Sequence, residues 1–168
     1  MNLEVQEQCF DNFPEWSFEP LDGSLLAWMS EVCSFLQNRC EARFDVVVCG
    51  QAWNVDVQFD LLSILPELPG VLCSFMKIEP VETRLSFFEQ GVERDLVFTP
   101  NGHLHTSISC TGVGCKKSSE SSVTIDRIVI SSELHNLMHG VASVVLQLSN
   151  NGLPLHPDFY RWASRVVI

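Results

Sequence analysis

The histidines are the residues in this chain whose spacing comes nearest to a chemistry. His103 and His105 form an H-x-H, and on a strand both side chains would leave the same face. His135 and His139 stand four apart, which on a helix puts both imidazoles on one flank. Four imidazoles brought together would suit Zn²⁺. No fixed-spacing motif joins the two pairs, and Asn136 stands where the helix of a zincin carries Glu. The expected role is therefore that of solvent-facing polar groups, with no metal site assigned.

Cys110 and Cys115 flank Thr-Gly-Val-Gly, a spacing that matches neither the usual zinc nor the usual redox pattern. They are read as two unrelated thiols. A Cys–His nucleophile pair would have to be assembled in space, and the sequence selects none. Asp45, Asp56 and Asp60 could in principle hold Mg²⁺, but solvated strand edges explain them equally well. Gly50 and Gly112-Val113-Gly114 do not lead into helices, so neither reads as a phosphate loop. No catalytic set and no cofactor emerge, and the expectation is that the protein is not an enzyme.

The elements that must position these residues are read from hydrophobic period. Leu25, Trp28, Met29, Val32, Phe35 and Leu36 share one face of a helix over residues 24–38, with Asp22 or Ser24 as its cap. Alternation over 44–49 and 53–59 predicts a hairpin turning at Gly50-Gln51. Pro66 and Pro69 divide the apolar stretch 61–76 into two short helical pieces, the first capped by Asp60. Strands are predicted over 84–89 and 93–99. A type I turn at Thr99-Pro100-Asn101-Gly102 then sets Phe98 opposite Leu104 and Leu96 opposite Thr106. In that register Leu96, Phe98, Leu104, Ile108 and Cys110 face inward, and His103, His105, Ser107 and Ser109 lie on the polar face. A strand over 123–130 leads to a long helix from Ser131 or Ser132 to about residue 149, with Leu134, Met138, Val141, Val145 and Leu148 on its buried stripe, stopped by Asn150-Asn151-Gly152 and Pro154. A short helix after Pro157 carries Phe159, Tyr160 and Trp162. The predicted fold is α+β, an antiparallel sheet of about six strands with three main helices packed around it.

The 168 residues are the size of one domain, and 46% hydrophobic against 18% charged is a globular composition. The expected organisation is a single domain over 1–168, with an acidic-aromatic N-terminal segment over 1–22 and an exposed loop over 116–122. No apolar run reads as reaching the roughly 20 residues of a membrane span. The acidic start reads as no secretory signal, so a cytoplasmic location is the default. Seven cysteines, odd in number and irregularly spaced, are read as reduced thiols.

The formal charge is −11. That balance argues against general affinity for nucleic-acid backbones or anionic membranes. It is also one-sided: Glu4, Glu7, Asp11, Glu15, Glu19, Asp22 and Glu31 all precede the first basic residue, Arg39. Phe10, Phe13, Trp16 and Phe18 interleave with those acids. Aromatics supply contact area and acids supply steering, the mixture of an interface that faces a basic partner. Solubility for the acids and packing for the rings are the competing explanations. Asp11, Glu15, Trp16, Glu19, Asp22 and Glu31 are the candidate partner-binding residues.

Residues 44–72 (FDVVVCGQAWNVDVQFDLLSILPELPGVL) and 85–98 (LSFFEQGVERDLVF) resemble a family of uncharacterised small bacterial proteins. In type, the acidic charge, α+β content and thiols resemble the immunity proteins of polymorphic-toxin and contact-dependent growth inhibition systems. That resemblance implies a protein that binds a basic toxin domain, such as a nuclease, and occludes its active site. It carries no residue-by-residue assignment. The alternatives are a cytosolic adaptor or small-ligand-binding module, and a metal- or thiol-dependent enzyme using His103, His105, His135, His139 or Cys110.

Overall fold

The computed structural model describes residues 1–5, 23–89, 92–112 and 122–164. Over these the protein is α+β, and its strands lie in two antiparallel sheets rather than the single one expected. A three-stranded sheet has the order β1 (Asn2–Glu4), β2 (Arg43–Val48), β3 (Gln51–Trp53). A four-stranded sheet runs β4 (Thr83–Glu89), β5 (Val92–Asn101), β6 (His105–Gly112), β7 (Ser122–Asp126). The helices are α1 (Leu25–Arg39), α2 (Leu62–Ile64), α3 (Leu68–Met76), α4 (Arg127–Asn150) and α5 (Phe159–Ser164).

Helix α1 follows its hydrophobic period. Trp28, Met29, Val32, Cys33 and Leu36 are buried, and Ser24 caps the start by accepting from Ala27 N at 3.1 Å. The next element departs from the sequence reading. Cys49 and Gly50 both have positive φ, 49° and 73°, so the two-residue turn comes one position earlier than expected. The strand after it then stops at Trp53. Val57–Leu61 is a π-helical turn that runs into α2, closed by Leu61 N donating to Asp56 O at 3.0 Å. Val-x-Val-x-Phe has the period of a strand, but the first turn of this helix is completely capped from outside it. Gln37 Oε1 accepts from Val57 N and Gln58 N, at 2.9 and 3.0 Å. Asp56 Oδ1 accepts from Phe59 N and Asp60 N, at 2.6 and 3.3 Å. All four amides that a helix start leaves open are thereby satisfied, which outweighs β-propensity. The cap is thus Asp56 rather than Asp60.

The segment Val57–Met76 is long and apolar enough by composition to cross a membrane, contrary to the sequence reading. Leu61, Ile64 and Leu68 in it are completely buried, and the helix breaks at residues 65–67. It is core here.

In the four-stranded sheet Leu85, Phe87, Leu96, Phe98 and Ile108 face the helices and are buried, while His105, Ser107, Ser109 and Thr124 lie on the opposite face. The β5–β6 register differs from the predicted one. Asn101 pairs with His105, and Phe98 lies opposite Ile108 rather than Leu104. The loop is Gly102-His103-Leu104, with Gly102 at φ 70°. Pro100 extends β5 past Phe98, the last residue paired with β4, where a missing amide is tolerated. Because the shift is an even number of residues, inward and outward faces keep their side chains, and Leu104 alone leaves the core for solvent.

Helix α4 begins at Arg127, not at Ser131 or Ser132. Ile128 and Val129, read as strand, are exposed on its first turn. Arg127 joins three elements there: Nη1 donates to His103 O at 2.7 Å, and Nη2 donates to Phe75 O and Lys77 O at the end of α3. The buried stripe of α4 is Leu134, Leu137, Met138, Val141, Val145 and Leu148. Phe87 stacks on Phe44 and meets Trp53 edge-on, so one apolar cluster draws on both sheets. Trp28 Nε1 and Trp162 Nε1 donate to Pro154 O and Leu65 O, both at 2.9 Å, and tie α5 and the chain leading to it onto α1 and α2.

Candidate functional site

The charged N-terminal stretch is bracketed by two well-packed elements. Glu4 is exposed on β1, directly opposite Arg43 of β2. Glu31 is exposed on the solvent side of α1, and no ion pair to it occurs among the described residues. Asp11, Glu15, Trp16, Glu19 and Asp22 lie outside the described residues. Of the candidate partner-binding residues, Glu31 is therefore the one among the described residues, exposed on α1.

The two histidine pairs do not come together. His103 sits in the β5–β6 loop rather than on the strand, and it presents its backbone carbonyl to Arg127. His105 opens β6, and its Nε2 lies 3.0 Å from Asp126 Oδ1. Both partners of that contact are half-exposed, a screened surface pair of small energetic weight. His135 and His139 line a different feature, a groove of about 360 Å³ between α4 and α5 whose walls include Met138, Leu146 and Tyr160. Among the described residues no three His, Cys, Asp or Glu side chains are grouped to hold a metal ion.

Of the three aspartates, Asp45 stands apart, while Asp56 and Asp60 accept from each other's backbone amides. Asp45 is exposed on β2, Asp56 caps the π-helical turn, and Asp60 is buried with Oδ2 accepting from Asp56 N at 3.0 Å. Two of the three are explained by the backbone they hold. Gly50 serves the β2–β3 turn and Gly112 the end of β6.

The cysteines divide by environment. Cys33 is a free buried thiol, and Cys73 is free and exposed. Burial, with a smaller contribution from the charge of Asp56, pushes the Cys33 thiol up from 9.0 to about 12. A thiol held that high stays protonated and unreactive. Cys110 is disulfide-bonded, which corrects the reading of it as an unrelated reduced thiol. Cys115 lies outside the described residues.

A second concavity of about 400 Å³ lies between the β2–β3 turn, the inner face of the four-stranded sheet and α4. Val48, Phe98, Ile108, Ile125 and Leu134 make it apolar, and Glu133, whose Oε2 lies 3.8 Å from the terminal amine of Met1, stands at its side. Sequence reasoning missed this cleft, the α4–α5 groove and the role of Arg127. Each needs the relative placement of elements distant in sequence. Comparison with family models, curated proteins and solved structures finds no match to this chain.

Proposed function

We propose that the protein is an acidic binding module that recognises a basic protein and covers its working surface, the part an immunity protein plays toward a toxin domain. The observation that carries this reading is the one-sided charge: −11 overall, with seven acids ahead of the first base. Glu4 and Glu31, at the two ends of that stretch, stand exposed on packed elements. Charges fixed on a rigid frame steer a basic partner without an added ordering cost. Asp11, Glu15, Glu19, Asp22 and Glu31 are the proposed contacts, with Trp16 as anchor, and the cytoplasm is the proposed location. Affinity capture of the tagged chain from its native lysate, washed at low and at high salt, tests it. The expected result is one basic, stoichiometric partner that high salt releases. Recovery of no basic partner overturns it.

A second reading, a small-ligand-binding module, rests on the apolar cleft beside β2 and α4. Native mass spectrometry would show an added small-molecule mass on the protein if that reading holds.

A further inference from the structure

His135 and His139 are one turn apart on α4, and their rings stack with centroids 6.5 Å apart and planes inclined by 27°. Both rings line the α4–α5 groove, His135 half-buried and His139 exposed. No hydrogen bond or ion pair to either ring occurs among the described residues, so no side chain there competes for their nitrogens. The helix supplies the rest of the geometry. Side chains four apart have Cβ atoms about 5–6 Å apart. Rotation about the side-chain bonds alone can then bring one nitrogen of each ring to the roughly 2.0–2.1 Å that a metal–imidazole bond requires.

We propose that His135 and His139 form a two-imidazole chelate site for a borderline divalent transition-metal ion, Ni²⁺, Cu²⁺ or Zn²⁺, at the mouth of this groove. The lining chemistry selects that class. The groove walls carry no carboxylate, only imidazoles, apolar side chains, two serines and Tyr160, whereas hard cations such as Mg²⁺ and Ca²⁺ are held by oxygen ligands, carboxylates above all. Two protein ligands leave the other coordination positions to water, in a groove also lined by Ser143 of α4 and by Tyr160 and Ser164 of α5. Holding two positions of one helix also makes the ion a staple for α4, because it binds the helical arrangement more tightly than the unfolded chain.

Ni²⁺ is the probe of choice, since it does not oxidise the exposed Cys73 thiol. The full chain is titrated with Ni²⁺ and followed by calorimetry, by the ring-proton NMR signals of the histidines and by melting temperature. The expected result is one ion per chain, first broadening of the His135 and His139 signals, and a melting temperature that rises with Ni²⁺ and not with Mg²⁺. His135→Gln and His139→Gln should each weaken binding about tenfold or more, because each removes the second, intramolecular ligand. The double variant His103→Gln/His105→Gln should leave it unchanged. Ni²⁺ affinity untouched by either α4 substitution, or abolished by the β5–β6 double substitution, would overturn the proposal.

Discussion

Asp56 shows how much one side chain can decide in this protein. Its carboxylate holds the amides of Phe59 and Asp60, and Gln37 holds the two before them. Asp56→Ala should cost about 1–2 kcal/mol in urea unfolding, with Asp56→Asn losing less because it keeps an acceptor oxygen. An Ala variant as stable as the parent would mean that the cap is dispensable. The thiols give a second residue-scale expectation. In the native, unreduced protein an alkylating reagent should label Cys73, spare Cys33 until unfolding, and find Cys110 already oxidised. Peptide mapping reads all three. The Cys33 proton also fixes a sign for pH. Its value is higher in the folded protein than in the unfolded chain, so the stabilisation it contributes is complete below pH 9.0 and is lost as pH rises toward about 12. Unfolding free energy measured across that window should fall, and Cys33→Ala should flatten the fall.

At the scale of elements, the strands depend on two glycines that differ in kind. Gly112 has φ 114°, and a Cβ there would stand 2.1 Å from Glu93 O across the β5–β6 ladder. Gly102 has φ 70° with open space around it. Gly102→Ala should therefore cost about 1 kcal/mol of backbone strain alone. Gly112→Ala should cost clearly more, because backbone must move. Equal losses in chemical denaturation would contradict the close approach. The same scale shows what the sequence could reveal. The period of 3.6 in α1 and the stripe on α4 were legible because each buries one continuous face. The faces of β5 and β6 were legible although their register was not, since a shift by an even number of residues preserves sidedness. Val57–Leu61 and the start of α4 were illegible for one shared reason. Gln37 lies twenty residues before the amide it caps, and Arg127 grips carbonyls of α3 fifty and more residues earlier. Local alternation of Val, Phe and Ile argues for strand in both places, and distant polar partners reverse it. The histidine pairs were likewise visible as spacings, while their separation into a loop, a strand start and a helical groove was not.

Over the whole molecule, charge is the property that composition stated outright and that the fold leaves in place. Exposed acids stand at both ends of the N-terminal stretch, on β1 and on α1, and both elements pack into the core shared by the two sheets. A net charge of −11 attracts a basic partner over about a Debye length, roughly 8 Å at physiological ionic strength, so its hallmark is sensitivity to salt. Reversing Glu15, Glu19 and Asp22 to Lys changes the formal charge by six units, from −11 to −5, and should slow association and flatten its salt dependence. The most direct measurement is affinity capture from native lysate with the parent chain and this triple variant side by side, each washed at low and high salt. The account expects a single basic protein, held by the parent at low salt, released at high salt and not held by the variant. A partner retained equally by both chains, whatever the salt, would contradict it.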